Sequence, residues 1–412
     1  MTIRVTLPAL LLLFSSVSYA QSGWFLQHGG DQDLLLFDVE LLDASTVIAV
    51  GENGTILRTT DAGASWHTVP SGTDQVLHHV QSHGPDLAVI LGNSGTALKS
   101  TDGGTSWSPL STGTTKSLFG MYYFDQEHWV VVGQAGLSME TRNGGATFSS
   151  PTSAANNYNW IDFHGNFGVI VGNVGTLRVT TNRGSSWTSR SSGTQSQLLC
   201  VSIANDSTAV AVGIRGTIIK TTNKGRDWRL VEASFPISTI QVSGVVRLSE
   251  TDLIAAAHTG LILVSSDGGD SWYSQYSDTH SNLEGIAFFD NMIGVAVGHK
   301  ATIIRTNTAG VLDISRHGEA VAGGLRILEQ YPLPLRSAVN ERGTLRINVE
   351  QRGHVHIELL DVLGRSRGTL YDDMLDAGTH TVNINASGLE TGLYFLHVKQ
   401  QSRTLFGRLL VE

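Results

Sequence analysis

A unit of about forty residues recurs through most of the chain, and this repeat restricts the possible folds more than any other feature. The first copy reads GENGTILRTTDAGASW at residues 51–66, and similar segments begin at residues 92, 133, 172 and 213. A sixth copy ends at Trp272. The Asp or Asn that anchors each copy recurs every 39 to 44 residues, which is the length of one four-stranded propeller blade.

A seventh copy is divided between the two ends of the repeat region. The segment GHKATIIRTNTAG at residues 298–310 lacks the expected tryptophan, while Trp24 precedes Trp66 by 42 residues, one repeat length. A linear solenoid gains nothing from such a division, whereas a closed ring does. The sequence therefore predicts an all-β, seven-bladed β-propeller over residues 21–315, closed by the strand that contains Trp24.

Each repeat contains four segments that are typical of strands. In the second copy these are residues 77–82, 86–92, 96–101 and 106–111, each bounded by turn residues. The Gly-x-x-Gly between the second and third segments predicts a tight turn in which glycine accepts positive φ.

The turn between the third and fourth strands has the pattern Ser/Thr-x-Asp-x-Gly-x-x-Trp, which resembles the Asp-box of sialidases and related propellers, also called the BNR repeat. Its repetition favours a structural role over catalysis or metal binding, because a single active site does not need six copies. We expect the Asp or Asn oxygen to accept turn N–H groups and the Trp to be buried between blades. The residues assigned this role are Asp61, Asp102, Asn143, Asn182, Asn223 and Asp267, with Trp24, Trp66, Trp107, Trp187, Trp228 and Trp272.

The repeat ends at Gly310, and we interpret residues 316–329 as a linker to a second domain. Residues 330–412 alternate apolar and polar positions between Gly and Asn turns, which predicts a small β-sandwich. Tyr331-Pro332, DVLGR at 361–365 and LETGLYF at 389–395 resemble the C-terminal sorting domain of type IX secretion cargo. The chain departs from that family at Leu333, Leu335 and Glu412. The resemblance implies that the type IX machinery carries the protein across the outer membrane; an ordinary accessory sandwich is the alternative.

The N-terminus and the composition both indicate export. Residues 1–20 contain Arg4, an apolar run from Leu7 to Phe14 and a small-residue site ending at Ala20, which predicts a cleavable signal peptide. The apolar run is shorter than the roughly 20 residues that a membrane-spanning helix needs. No later segment is apolar enough to span a bilayer. We therefore expect passage through the periplasm to the outer cell surface or the medium. A net charge of −9 without a basic cluster argues against nucleic acid as a partner, and the lone Cys200 forms no internal disulfide.

The repeats also resemble those of the photosystem II assembly factor family, which implies a scaffold that binds protein. An enzyme is the alternative, because some glycoside hydrolases use Asp-box propellers. The chain lacks the Arg-Ile-Pro motif of sialidases, and no pair of mouth carboxylates is singled out by spacing. The acids considered were Asp31, Asp33, Glu52, Asp74 and Glu284. We therefore predict no catalytic residue, cofactor or metal.

The loops opposite the Asp-boxes are the predicted binding surface. They comprise the turns between second and third strands and the connections between blades, including Asp74 and Lys116, where the repeats differ most. The candidate binding residues are Glu52, Asn53, Asn93, Gln134, Asn173, Arg215, His258, His299 and Lys300. A protein or a glycan is the expected ligand, and solvated turn residues without a ligand are the alternative reading.

Overall fold

The computed structural model describes residues 23–29, 34–232, 239–275, 277, 279–310, 325–331, 342–349, 351–361, 366–385, 389, 392–400 and 403–411. The predicted signal peptide lies outside these residues. The described residues form strands and no α-helix, so the all-β prediction is confirmed. The only helical segments in this part of the chain are five 3₁₀ turns, at Glu52–Gly54, Asn93–Gly95, Gln134–Gly136, Ile214–Gly216 and His258–Gly260. None of its helices is long and apolar enough to cross a membrane.

The strands between residues 23 and 310 form seven antiparallel sheets, which we number 1 to 7 in chain order. The first strand of the chain is β1 (Gly23–His28). Sheet 1 contains β2 (Leu36–Leu41), β3 (Val47–Gly51), β4 (Ile56–Thr59) and β5 (His67–Thr68). Sheet 2 contains β6 (Leu77–His83), β7 (Leu87–Gly92), β8 (Ala97–Ser100) and β9 (Ser108–Pro109). Sheet 3 contains β10 (Leu118–Tyr123), β11 (Trp129–Gly133) and β12 (Ser138–Thr141). Sheet 4 contains β13 (Tyr158–His164), β14 (Phe167–Gly172), β15 (Leu177–Thr180) and β16 (Thr188–Ser189). Sheet 5 contains β17 (Leu198–Ile203), β18 (Ala209–Gly213), β19 (Ile218–Thr221) and β20 (Arg229–Leu230). Sheet 6 contains β21 (Val242–Arg247), β22 (Leu253–Ala257), β23 (Ile262–Ser265) and β24 (Tyr273–Gln275). Sheet 7 contains β25 (Leu283–Phe288), β26 (Gly294–Gly298) and β27 (Ile303–Gly310), with β1 as its outer strand.

The seven sheets close into a ring. The first strand of each sheet contacts the first strand of the next, from β2 through β6, β10, β13, β17 and β21 to β25, and β25 returns to β2. These inner strands therefore surround a central channel. The outer strand of sheet 7 comes from the other end of the chain, because β1 pairs with β27 from Gly23↔Gly310 to His28↔Ile303.

Sheet 3 has three strands where the repeat predicts four. Phe148 stands at the position of the repeat tryptophan, and the following segment closes the edge of β12 by irregular contacts. Ser149 N donates to Glu140 O at 2.8 Å, and Ser149 Oγ accepts from Glu140 N at 2.9 Å. One hydroxyl thus satisfies the backbone donor that a fourth strand would have paired.

The first glycine of each Gly-x-x-Gly turn does not have the positive φ that the sequence predicts. Gly51 is extended, at φ −166°, and a Cβ there would lie 2.2 Å from Leu35 O. Its role is to let two backbones approach closely. Positive φ occurs instead at the third and fourth turn positions, which are Asn53 (φ 53°) and Gly54 (φ 65°) in the first copy.

The Asp-box turns are built by local hydrogen bonds. In the first copy, Asp61 Oδ1 accepts from Ser65 N at 2.9 Å, and Thr59 Oγ1 accepts from Gly63 N at 3.0 Å. Trp66 packs against a cluster that contains side chains of sheets 1 and 7. The other Asp-boxes repeat these bonds through Asp102, Asn143, Asn182, Asn223 and Asp267.

The C-terminal residues form two further antiparallel sheets. One contains β28 (Leu325–Tyr331), β29 (Arg342–Val349) and β32 (Gly378–Asn385). The other contains β30 (Gly353–Asp361), β31 (Ser366–Leu375), β33 (Gly392–Gln400) and β34 (Arg403–Val411). Side chains of both sheets share one apolar cluster, which includes Ile347 and Ile357. Strand β28 begins at Leu325, within the segment interpreted as a linker, and pairs with β29.

Buried carboxylates connect neighbouring inner strands around the channel. The inner edge of each inner strand has no strand partner, so its N–H groups need other acceptors. Ser82 N donates to Glu40 Oε1 at 3.1 Å, and Ile203 N donates to Asp162 Oδ2 at 2.7 Å. Burial raises the pKa of Glu40 from 4.5 to about 7 and the pKa of Asp162 from 3.8 to about 7, although these hydrogen bonds oppose the rise.

We expect this burial to make the ring less stable as the pH rises from 5 to 7. The folded carboxyl groups hold their protons more tightly than those of the unfolded chain. Their contribution to stability is therefore complete below the pKa of the unfolded chain and is lost as the pH rises to about 7. Each group should contribute a fall of roughly 1 kcal/mol per pH unit. Glu40→Gln should flatten the dependence, as measured by urea unfolding from pH 5 to pH 8. An unchanged slope would contradict this account.

Candidate functional site

Seven side chains form a ring around one mouth of the channel. Each inner strand has a register shift after its first residue, so the second residue is an extra, bulged residue. We call these residues the bulge ring; in order they are Phe37, His78, Phe119, Asn159, Leu199, Ser243 and Glu284. All seven are half-buried. A β-bulge aims a side chain away from the regular alternation, which places this set at the channel mouth.

The predicted binding residues lie beside this ring, in the turns between second and third strands. The first residue of each turn is mostly half-buried, as for Asn93 and His258, and the second is mostly exposed, as for Arg215 and Lys300. Each second residue has positive φ, including the β-branched Val174 (φ 54°) and Thr259 (φ 61°). Seven non-glycine residues at this strained geometry direct variable side chains outward from the same face.

The turns also contact the loops that connect successive sheets. Gly54 N donates to Gln75 O at 2.9 Å, and Ser94 Oγ donates to Gln75 Oε1 at 2.9 Å. Asp74 is exposed in this loop, and Lys116 is half-buried in the equivalent loop after sheet 2. Turns and connecting loops therefore share one face, opposite the Asp-boxes, as the topology predicts.

Hydrogen bonds join the bulge ring to the turns in three sheets. His78 Nε2 donates to Asn93 Oδ1 at 2.8 Å, and Asn159 Nδ2 donates to Asn173 Oδ1 at 3.1 Å. His299 Nε2 donates to Glu284 Oε1 at 3.1 Å. Three of the predicted binding residues, Asn93, Asn173 and His299, are thereby placed against the ring. Glu52 instead accepts from Leu35 N through Oε2, at 3.2 Å.

One arc of the ring is aromatic. The His78 ring packs edge-on between Phe37 and Phe119, with centroid separations of 5.2 and 5.1 Å. Burial lowers the pKa of His78, although its bond to Asn93 opposes this. Burial therefore favours the neutral form of His78, and this arc contains no permanently charged side chain.

Two large side chains fill the channel below the ring. His79 on sheet 2 and Trp160 on sheet 4 meet across the channel, with ring centroids 4.6 Å apart. His79 Nδ1 lies 2.6 Å from Asp38 Oδ2, which also accepts from Val80 N at 3.0 Å. His79 and Trp160 each follow a bulge-ring residue in the sequence, so this aromatic contact lies directly below the ring.

Of the carboxylates predicted at the mouth, the structure describes Glu52, Asp74 and Glu284, and their oxygens accept from other residues and not from one another. Asp31 and Asp33 lie outside the described residues. Glu284 has a side chain only 13% exposed, and its oxygens accept from His258, His299 and Gln241.

Burial raises the pKa of the Cys200 thiol to about 12, which leaves it un-ionised. Within the described part of the chain, no group of acidic, His and Cys side chains could hold a metal ion.

Sequence reasoning missed most of the bulge ring, although a signal for it exists. Apolar residues open each inner strand with a spacing of three, as in Leu36 and Val39 or Leu198 and Val201, where regular alternation would give two. An inserted residue accounts for that spacing. Of the seven ring residues, only Glu284 had been considered at the mouth.

Comparisons with known proteins agree with this architecture. A model of the photosynthesis system II assembly factor YCF48 family matches residues 103–255, and a model of a secretion system C-terminal sorting domain matches residues 331–412. The solved structure "YCF48 bound to D1 peptide" has a TM-score of 0.59 and 20% identity, and covers 70% of this chain and 98% of its own. YCF48 from Cyanidioschyzon merolae gives a TM-score of 0.58 and 18% identity, with 69% and 98% covered. The extracellular domain of a putative two-component system, BT3049 from B. thetaiotaomicron, gives 0.57 and 10%, with 95% and 58% covered.

No curated protein matches the sequence significantly. Identities of 20% or less in the solved structures establish the fold alone. The family matches confirm both resemblances: the repeat region is similar to YCF48 propellers, and the C-terminal residues are similar to secretion-system sorting domains.

Proposed function

We propose that this protein is an exported, non-enzymatic binding module that holds a segment of another protein against the mouth of its propeller. The type IX secretion system would deliver it through the periplasm to the outer cell surface or the medium. Residues 331–412 support this route through their match to a secretion sorting domain. The signal peptide predicted at residues 1–20 supports the first membrane crossing.

The observation that carries the proposal is the bulge ring. It brings seven different half-buried side chains together on a constant scaffold, next to exposed turn residues that also differ between sheets. Variable side chains on a rigid frame are typical of binding surfaces. A partly aromatic mouth with the His79–Trp160 contact directly below it suits a peptide segment better than a small substrate, which usually binds in an enclosed cavity.

The solved relatives support a peptide over other ligands. One similar propeller was solved as "YCF48 bound to D1 peptide", so a propeller of this fold can bind a peptide. Glycoside hydrolysis normally requires two carboxylates on either side of the sugar bond. The one acid of the bulge ring, Glu284, is already engaged by three donors. A binding role therefore fits the mouth better than the hydrolase alternative.

The test compares peptide and glycan arrays using the full chain and the variant Phe119→Ala. We expect the chain to retain a subset of peptides and the variant to bind them at least tenfold more weakly, a loss of about 1.4 kcal/mol. Leu230→Ser is the matched control, because it removes an exposed apolar side chain from the outer strand of sheet 5. It should leave binding unchanged.

Three outcomes would contradict the proposal. The array could retain no peptide, or Leu230→Ser could weaken binding as much as Phe119→Ala. Selective retention of glycans would favour the carbohydrate alternative. Turnover of generic glycosides that disappears in Glu284→Gln would show that the mouth is an active site.

A further inference from the structure

Glu284 is the one charged member of the bulge ring. Its Oε1 atom accepts from His258 Nε2 at 2.9 Å and from His299 Nε2 at 3.1 Å. Its Oε2 atom accepts from Gln241 Nε2 at 3.1 Å. These bonds fix the carboxylate in one orientation at the seam between sheets 6 and 7.

The ion-pair partners of this carboxylate are both histidines. Within the described residues, neither Lys nor Arg lies within salt-bridge distance of it. Lys300 follows His299 but is exposed at the tip of its turn. A half-buried carboxylate without a permanent counterion attracts a cationic group of a ligand more strongly than a solvated one does.

The sheet next to Glu284 contributes an aromatic ring. Sheets 7 and 1 approach so closely that a Cβ on Gly285 would lie 2.8 Å from Phe37 O. Glu284 and Phe37 are therefore neighbours in the bulge ring, and Phe37 begins the uncharged aromatic arc. A carboxylate beside an aromatic ring suits a cation that carries an apolar stem, because the ring attracts the cation and covers the stem.

The number of free acceptor positions distinguishes lysine from arginine. A carboxylate offers about four lone-pair sites, and three of those on Glu284 are occupied, which leaves one on Oε2. Arginine favours bidentate pairing with two oxygens, whereas the lysine ammonium acts as a point charge. The remaining site therefore matches a single ammonium group.

We propose that the mouth selects a peptide segment in which a lysine lies close in sequence to an aromatic or large aliphatic residue. The lysine ammonium pairs with Glu284 Oε2, and the apolar residue packs on the arc of Phe37, His78 and Phe119. This inference rests on the proposed function and specifies the chemistry of its ligand.

The experiment uses three acetylated peptides with identical flanks and a central Lys-x-Phe, Arg-x-Phe or Gln-x-Phe. We expect the full chain to bind the lysine peptide about tenfold more tightly than the glutamine peptide, with the arginine peptide between them. Glu284→Gln should remove the preference of lysine over glutamine, because its side-chain amide keeps the shape without the charge. Phe119→Ala should weaken all three peptides by similar factors. Leu230→Ser, which changes an exposed side chain on the outer strand of sheet 5 and outside the ring, is the control and should preserve the preference.

Each outcome separates this inference from the proposed function. An unchanged lysine preference in Glu284→Gln would overturn the inference, and so would equal binding of the lysine and glutamine peptides by the parent chain. Mouth-dependent binding of other array peptides would then still support the proposed function. If neither Phe119→Ala nor Glu284→Gln altered the binding of any peptide, both would fail. Intrinsic fluorescence before and after unfolding would verify that each variant is folded.

Discussion

Replacing Trp24 by Ala should lower the free energy of unfolding of the propeller by about 4 kcal/mol. The Trp24 side chain is fully buried, its ring meets Phe288 edge-on at 5.9 Å, and its Nε1 donates to Gln275 Oε1 at 3.1 Å. It shares a cluster with side chains of sheets 6 and 7, such as Ile254 and Ile304. The variant loses this packing and also loosens β1, the outer strand of sheet 7.

The measurement can be confined to the propeller. All eight tryptophans of the chain lie between residues 24 and 272, so their fluorescence during urea unfolding reports the ring and not the C-terminal sheets. Phe25→Ser is the matched control on the same strand, because its side chain is 39% exposed. We expect it to cost less than about 1 kcal/mol. A loss below 1 kcal/mol for Trp24→Ala would show that β1 is not needed to close the ring.

The ring was predictable because its cause is a repeated local pattern. A spacing of about forty residues predicts the sheets, and the matching segments around Trp24 and Trp66 predict which strand completes the last one. The Asp-box geometry follows in the same way, since Asp61 and its equivalents bond to residues four positions away. Such contacts are encoded within a short stretch of sequence.

The binding surface was predictable only in part, because its geometry depends on contacts between distant segments. The turn residues could be identified as variable positions, and Glu284 was considered at the mouth. The aromatic arc was not foreseen, since it requires Phe37, His78 and Phe119 to meet from three sheets. The contact that fills the channel joins His79 to Trp160, and neither residue stands out within its own repeat. Side chains that converge across a ring leave no local periodicity.

We expect the second large loss of stability from substitution of the extended glycines in the turns, where two backbone segments approach each other closely at the mouth. A Cβ on Gly213, at φ −171°, would lie 2.1 Å from Gln197 O, so Gly213→Ala must push two backbones apart. We expect the free energy of unfolding to fall by about 3 kcal/mol. Tryptophan fluorescence during unfolding would measure this change. Sheet 6 shows the required adjustment, because it has Ala257 at this position with φ −140°.

Gly193→Ala is the matched control. It separates the energetic cost of a steric contact from the cost of an unfavourable backbone conformation. Gly193 has φ +73°, but a Cβ there would meet nothing within 4 Å. Its replacement should cost about 1 kcal/mol, the usual penalty for an L residue in the left-handed region. If the two variants were equally destabilised, the close approach at Gly213 would have no special energetic weight. Gly213 pairs with Leu198, which directly precedes the ring residue Leu199. If Gly213→Ala is the more destabilised variant and its folded form also binds peptide more weakly, the backbone spacing at Gly213 is coupled to the binding surface.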